Sequence, residues 1–237
     1  ARRVFFARAI GGAASFGALA AGATAFRQAA QAPDIVRLDV PIAGLPAGLD
    51  GFRIVQISDL HVSATIRRPY VEQVVALANA EAADMVALTG DMMDGSVDML
   101  ADDMAPIANL AARHGVFFVT GNHEYYSGAD SWIAHFRSLG VRPLRNERVR
   151  IDHDGVALDL FGIDDPSGAR FGDGHGPDLA RAAEGRDVAV PSLLLAHQPK
   201  QVHDAAEHGI WLTLSGHTHG GQIWPFGYLV ALVQPYV

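Results

Sequence analysis

The 237-residue sequence contains no cysteine, and this absence limits what the protein can bind. A disulfide framework and a zinc ion held by thiolates are both excluded. Any metal ion must therefore be held by nitrogen and oxygen ligands. The lack of cysteine is also compatible with an exported protein.

Basic residues are scarce as well. The chain has 18 Lys and Arg against 26 Asp and Glu, which gives a formal net charge of −8. Binding to a nucleic-acid backbone requires a basic face, so we expect no nucleic acid as partner. A small phosphorylated substrate stays compatible with this charge, because bound metal ions supply positive charge locally.

Residues 9–26 contain no charged side chain and include eight alanines and four glycines. A helix of this length is just long enough to span a bilayer. Arg2, Arg3 and Arg8 would keep its beginning in the cytoplasm. We therefore expect membrane association through the N-terminus, with an Ala-rich surface helix as the alternative.

The same segment has features of an export signal. Arg2-Arg3 before a weakly apolar region resembles a twin-arginine (Tat) signal, and Ala23-Thr24-Ala25 is a cleavage-site pattern. We expect residues 1–32 to be a signal peptide or signal-anchor. Residues 33–237 would then form one α/β domain, exported or anchored at the outer face of the cytoplasmic membrane.

Short apolar runs alternate with helical patterns through most of the remaining chain, which predicts βαβ units and a largely parallel sheet. A hairpin is expected around His153-Asp154-Gly155 and an irregular loop over 162–177. The predicted strands are 35–40, 53–58, 85–89, 116–120, 149–151, 156–161, 192–196 and 211–215, and the predicted helices are 69–80, 97–112, 130–139 and 200–207.

Five short motifs carry metal-ligating residue types, and each directly follows a predicted strand. Taken singly, each motif is more typical of a turn or a surface loop than of a metal site. Taken together and in order, they indicate a site. The motifs are Asp59-Leu60-His61, Gly90-Asp91, Gly121-Asn122-His123-Glu124, His197 and Gly216-His217-Thr218-His219.

Their positions predict that these side chains converge. The carboxyl ends of parallel strands face a common crevice, where ligands bind. We expect the Asp-x-His and His-x-His pairs to point to one side of an extended backbone. Their oxygen and nitrogen donors suit Mn, Fe or Zn, and a carboxylate such as Asp91 can bridge two ions about 3.5–4 Å apart.

The charge of such a site favours an anionic substrate. Two divalent ions contribute +4, Asp59 and Asp91 contribute −2, and a bridging hydroxide contributes −1. About one unit of positive charge is left over, which favours a phosphate over a neutral peptide or sugar.

The ordered motifs from Asp59 to His219 resemble the calcineurin-like metallophosphoesterases. The resemblance implies a four-layer αββα sandwich, whose last strands we expect to follow Val237. It also implies that His123 assists the leaving group or stabilises the transition state. Two divalent metal ions are implied, the first held by Asp59, His61, Asp91 and His219, and the second by Asp91, Asn122, His197 and His217.

The run from His217 to Pro225 is similar to a narrower bacterial group of exported or membrane-associated phosphodiesterases. Some of these act on UDP-diacylglucosamine or on other lipid-linked phosphates. The resemblance therefore implies a binuclear phosphodiesterase or pyrophosphohydrolase, acting on a lipid-linked or nucleotide-sugar phosphate through in-line attack of a metal-bridging hydroxide. A phosphomonoesterase and a non-catalytic metal-binding scaffold are the alternatives.

Three aromatic residues near the motifs have both a functional and a structural interpretation, and the other residues considered have a structural interpretation only. Tyr125, Tyr126 and Trp224 either line the substrate cleft or pack a loop. The remaining histidines and one acidic helix face are predicted to be solvent-exposed. These residues are His114, His135, His153, His175, His203 and His208, together with Asp98, Asp102 and Asp103.

Overall fold

The computed structural model describes residues 2–29, 33–221, 227–234 and 236. It divides into two compact units, Ala1–Ile35 and Val36–Val237. Trp224 and the rest of the run 222–225 lie outside the described residues.

The first unit contains one long helix, α1 (Arg2–Ala29). Its segment Arg2–Ala25 is long and apolar enough to cross a membrane, with a mean hydropathy of 1.5. A signal sequence has the same length and composition. The division into a leader over 1–32 and a domain over 33–237 stays a prediction.

The described strands of the second unit form two four-stranded sheets, with orders β1-β2-β3-β4 and β5-β6-β7-β8. All pairs are parallel except β5 with β6. The strands are β1 (Ile54–Ile57), β2 (Met85–Leu88), β3 (Val116–Phe118), β4 (Arg142–Pro143), β5 (Glu147–His153), β6 (Val156–Gly162), β7 (Ser192–Leu195) and β8 (Leu212–Leu214).

The two sheets pack face to face, and helices cover their outer faces. Ala87 of β2 and Leu193 of β7 belong to the core between the sheets. Their neighbours Val86 and Leu194 point to the opposite faces and pack against helices. These helices are α2 (Arg68–Ala80), α3 (Val97–Met104), α4 (Asn122–Ser127) and α5 (Ala129–Ser138) on the first sheet, and α6 (Leu179–Ala183) and α7 (Val202–Glu207) on the second; α8 (Gly227–Val230) follows later.

This arrangement is a mixed α/β fold, as the sequence predicted. Strands buried on both faces are mostly apolar, which accounts for the apolar runs of β2 and of Leu193–Leu195 in β7; all residues of these two strands are buried. The predicted hairpin is confirmed: Asp154 and Gly155 both have positive φ, as a two-residue turn between twisted strands requires.

Two predicted elements differ from the structure. Residues 35–40 are exposed and lie in no strand, because no described strand pairs with them. The predicted helix over 97–112 ends at Met104 and continues as a 3-10 turn over Ala105–Asn109, where Pro106 lacks the N–H that an α-helix needs. In addition, the short elements α4, α6, α8 and β4 were not predicted.

Candidate metal centre

All five predicted motifs lie at the carboxyl ends of strands, as expected. Asp59 follows β1, Asp91 follows β2, and His123 lies in α4 just after β3. His197 follows β7 and His217 follows β8. Because the two sheets pack face to face, these ends form a single cluster.

The cluster contains three sets of three side chains. Within each set, one ligand atom from each residue lies within 4.8 Å of the other two. Asp91 is shared by two of the sets, so it lies between them. The sets are Asp59, His61 and His219; His61, Asp91 and His123; and Asp91, His197 and His217.

The backbone at the cluster is left-handed where an extended backbone was expected. Asp59 has φ 56° and His61 has φ 46°, while Asp91, His217 and His219 have φ 53°, 73° and 49°. Such values are strained for residues with a side chain. The prediction of convergence is confirmed geometrically, but the predicted extended geometry is wrong.

Two motif glycines allow the carboxylates to pack against the backbone. A Cβ at Gly121 would lie 2.2 Å from Asp91 Oδ1, and a Cβ at Gly216 would lie 2.2 Å from Asp59 Oδ2. Real Cβ atoms do not approach so closely, so only glycine fits without moving a carboxylate. This explains why glycine precedes Asn122 and His217.

Several ligand atoms of the cluster lie close together without enough protons to hydrogen-bond one another, and a bound cation would remove the resulting repulsion. His61 Nε2 and His219 Nε2 are 3.2 Å apart, and so are His217 Nδ1 and His197 Nε2. Two imidazole nitrogens this close share at most one proton. Asn122 Oδ1 is buried and has no hydrogen-bond partner among the described residues. These oxygen and nitrogen donors fit divalent metal ions.

The carboxylates and histidines of the cluster also shift one another's protonation. Burial acts to raise the pKa of Asp59, but a hydrogen bond from His219 and the charge of His197 lower it to about 2. Burial acts to lower the pKa of His197, but its hydrogen bond to Asp91, 3.1 Å away, raises it to about 9. The buried cluster thus stabilises positive charge at His197.

The orientation of His197 is fixed by the main chain. Its Nδ1 lies 2.7 Å from the carbonyl oxygen of Thr89 and donates a proton to it. Its Nε2 then faces Asp91. Fixing one ring nitrogen in this way is typical of histidines that bind metals through the other.

Asp94 is a residue of this cluster that the sequence interpretation missed. Its carboxylate lies 2.5 Å from His123 Nδ1 and 3.1 Å from His61 Nδ1. A second aspartate three residues after Asp91 was the available signal. Counting its carboxylate as well would remove the unit of positive charge left over in the count from Asp59 and Asp91.

Glu124 joins the ends of β2 and β3. Its buried carboxylate accepts hydrogen bonds from the backbone N–H groups of Asp91, Met92 and Gly121, at 2.9, 2.8 and 2.6 Å. Burial and the nearby charge of Asp91 raise the pKa of Glu124 to about 7. The residue therefore positions Asp91 through the main chain.

The two tyrosines of the same helix have different environments. Tyr125 is 4% exposed and packs a loop, whereas Tyr126 is 62% exposed beside His123.

Two predictions of solvent exposure are wrong. His153 is buried and hydrogen-bonded to His114. Asp103 is also buried, and it accepts a hydrogen bond from the backbone N–H of Arg68.

Comparison with known proteins places the chain in a family. The model of the family described as calcineurin-like phosphoesterase matches residues 52–221. The chain therefore belongs to that family, and the matched residues form the domain of a metal-dependent hydrolase.

Curated relatives extend over most of this chain but only part of their own length. A bovine "transmembrane protein with metallophosphoesterase domain" is 39% identical over 218 residues, which cover 88% of this chain and 49% of that protein. An uncharacterized metallophosphoesterase of Helicobacter pylori is 38% identical over 186 residues, which cover 78% of this chain and 49% of that protein. The chain thus spans about half the length of these relatives.

Solved structures with a similar arrangement are more distant. The 5′-nucleotidase precursor of Thermus thermophilus aligns with a TM-score of 0.48 and 15% identity, over 71% of this chain and 42% of the other.

Proposed function

We propose that the chain is a two-metal phosphoesterase that hydrolyses a phosphodiester or pyrophosphate bond. The position of Asp91 carries this proposal, because its carboxylate has histidine nitrogens on two sides. His197 Nε2 lies 3.1 Å from Oδ2, and His61 Nε2 lies 3.9 Å from the same oxygen. A carboxylate shared in this way can hold two cations about 3.5–4 Å apart.

The remaining ligands divide between the two sides of Asp91. When bound, the cations would supply Lewis acidity toward the phosphate oxygens and lower the pKa of a bound water. One cation would be held by Asp59, His61, Asp91 and His219, and the other by Asp91, Asn122, His197 and His217.

His123 has the geometry of a general acid. The Nδ1 atom of His123 is hydrogen-bonded to Asp94. The Nε2 atom of His123 lies 4.0 Å from Asp91 Oδ2, at the edge of the cluster. The side chain is 35% exposed, so a substrate can reach it. A protonated His123 can donate its Nε2 proton to the departing oxygen.

The substrate is proposed to be a lipid-linked or nucleotide-sugar phosphate at a membrane. Helix α1 supports this location, since Arg2–Ala25 is long and apolar enough to span a bilayer. Relatives from cattle and zebrafish are named transmembrane proteins. We propose that residues 1–32 export or anchor the chain and that residues 33–237 act at the outer face.

Metal analysis and paired assays test the proposed activity. The purified chain is analysed for bound metal, stripped with a chelator and reloaded with Mn, Fe or Zn. It is then assayed with bis(p-nitrophenyl) phosphate and with p-nitrophenyl phosphate. We expect two ions per chain and faster hydrolysis of the diester.

The other results would each point to a different function. Faster hydrolysis of the monoester would identify a phosphomonoesterase. Two bound ions without activity on either substrate would identify a metal-binding scaffold, and one ion or none would contradict the two-metal site. Fractionation of cells expressing the chain tests its location, and recovery only in the soluble cytoplasmic fraction would contradict the membrane proposal.

A further inference from the structure

An exposed aromatic ring lies beside the proposed general acid. His123 and Tyr126 are three residues apart in α4, so they share a face of that helix. Their ring centroids are 5.4 Å apart, with the planes inclined at 67°. Tyr126 nevertheless remains 62% exposed.

A second ring continues this surface from a different part of the chain. Phe171 lies in the irregular loop after β6, with its ring centroid 6.0 Å from that of Tyr126. It is 46% exposed. Its other neighbour is the buried Tyr125, whose ring centroid is 5.7 Å away. We call Tyr126 and Phe171 together the aromatic rim.

The loop that carries Phe171 is fixed to the domain on both sides of the ring. A Cβ at Gly168 would lie only 2.5 Å from Tyr125 Cζ, so the backbone packs directly on that tyrosine. Beyond Phe171, Arg145 donates to the carbonyl of Gly174 at 3.3 Å, and Asn146 donates to that of Gly176 at 2.8 Å. Contacts within the domain therefore hold the loop that carries Phe171 in place.

We propose that the aromatic rim is a binding subsite for a planar ring on the leaving group, such as an aryl group or a nucleobase. This inference rests on the proposed function, in which His123 protonates the departing oxygen. The leaving group must then extend past His123, toward Tyr126. Flat rings gain from edge and face contacts with aromatic side chains, whereas an alkyl group gains only from burial.

Two small diesters isolate the leaving group. In p-nitrophenyl methyl phosphate the leaving group is p-nitrophenolate, which contains the ring, and its release is followed by absorbance. In trifluoroethyl methyl phosphate the leaving group is an alkoxide, and its release is followed by fluorine NMR. Each substrate is compared only with itself across variants. Its intrinsic reactivity therefore cancels, and the change in kcat/KM reports the contact that was removed.

The variants separate a ring contact from bulk and from loop packing. Tyr126→Ala and Phe171→Ala remove one ring each, Tyr126→Phe retains the ring, and Tyr126→Leu retains apolar bulk. Val188→Ala is the matched control. It truncates an exposed apolar side chain before β7, at the other end of the strands.

We expect Tyr126→Ala, Tyr126→Leu and Phe171→Ala each to lower kcat/KM for the aryl diester roughly 2- to 12-fold, and to change the alkyl diester less than about 2-fold. Tyr126→Phe, which retains the ring, should lose less of this kcat/KM than Tyr126→Ala or Tyr126→Leu, and Val188→Ala should match the wild type on both diesters. Metal content and the pH profile should be unchanged in every variant.

Three results would overturn the subsite. Equal losses on both diesters would show that the rings only position His123, and no loss on either would show that they contact no leaving group. A wild type that binds two metals but hydrolyses neither diester would remove the proposed function itself, and the subsite with it.

Discussion

Paired histidines with a nearby carboxylate occur at both ends of the strands. At the carboxyl ends, His61 and His219 face each other beside Asp59. At the amino ends of the parallel strands, where the antiparallel β5 ends at His153, His114 Nε2 and His153 Nδ1 lie 2.9 Å apart, with Asp84 3.8 Å from His153. Residue composition alone therefore does not distinguish the two clusters.

Their physical environments do distinguish them. Beside the second cluster, the guanidinium of Arg113 lies 3.4 Å from His153 Nδ1 and repels any cation there. The described residues of that cluster offer no third donor that converges within 4.8 Å. At the first cluster, by contrast, three sets of ligand atoms converge and a buried oxygen of Asn122 lacks a partner among the described residues. A site is therefore indicated by converging, unsatisfied ligand atoms rather than by histidines alone.

Substitution of Asp91 should produce the largest difference between the two ends. Asp91→Asn removes the charge shared by both proposed ions, so metal content and activity should fall together. The loss should exceed the roughly 10- to 100-fold typical of outer-sphere changes. Asp84→Asn, at the other end, is the matched control and should retain both properties. Full metal content in Asp91→Asn would contradict a bridging role.

Substitution of His123 should separate catalysis from metal binding. His123→Ala removes the proposed proton donor and should lower kcat about 10²- to 10⁴-fold, with metal content unchanged. His114→Ala removes a histidine from the other cluster and should leave kcat as it is. Loss of both metals in His123→Ala would show that this residue is a ligand and not the acid.

Removal of Asp94 should have a smaller effect. Asp94→Ala frees the rings of His61 and His123 and should lower kcat/KM about 10- to 100-fold. Asp154→Ala is its counterpart, since Asp154 Oδ2 lies 3.4 Å from His153 Nε2, and it should leave catalysis unchanged. Wild-type kinetics in Asp94→Ala would mean that the carboxylate does not orient these rings.

The smallest expected effect concerns stability against pH at the amino-end cluster. Burial, followed by the charges of His153 and Arg113, lowers the pKa of His114, while Asp84 and Asp154 oppose this shift. Because the pKa of His114 is lowered in the folded protein, its contribution to the free energy of unfolding is fully present above about pH 6.5. This contribution is lost as the pH falls below that value.

Thermal unfolding between pH 7.5 and pH 5.5 measures this contribution. His114→Gln retains a donor toward His153 but does not titrate, so its Tm should fall less with decreasing pH than that of the wild type. Identical pH dependence in the two proteins would show that His114 does not contribute.

The sequence predicted where the candidate ligands converge because metal-ligating residue types follow apolar runs, and buried parallel strands require such runs. It did not predict the left-handed backbone at Asp59 or His217, since that conformation depends on close packing against Gly216 and neighbouring strand ends. Asp94 was missed for a related reason: its role depends on histidines that are distant in sequence.

The two tyrosines show a further limit. Tyr125 and Tyr126 are adjacent and chemically identical, and only the helical path of α4 places one in the core and the other beside His123. No helix was predicted at this position. The direction of each side chain therefore became clear only from the structure.

Anomalous diffraction from crystals of the chain loaded with Mn²⁺ tests whether Asp91 holds two metal ions. We expect two peaks about 3.5–4 Å apart on either side of Asp91, and none between His114 and His153. A single peak at Asp91, or a peak at the amino-end cluster with none at Asp91, would contradict it.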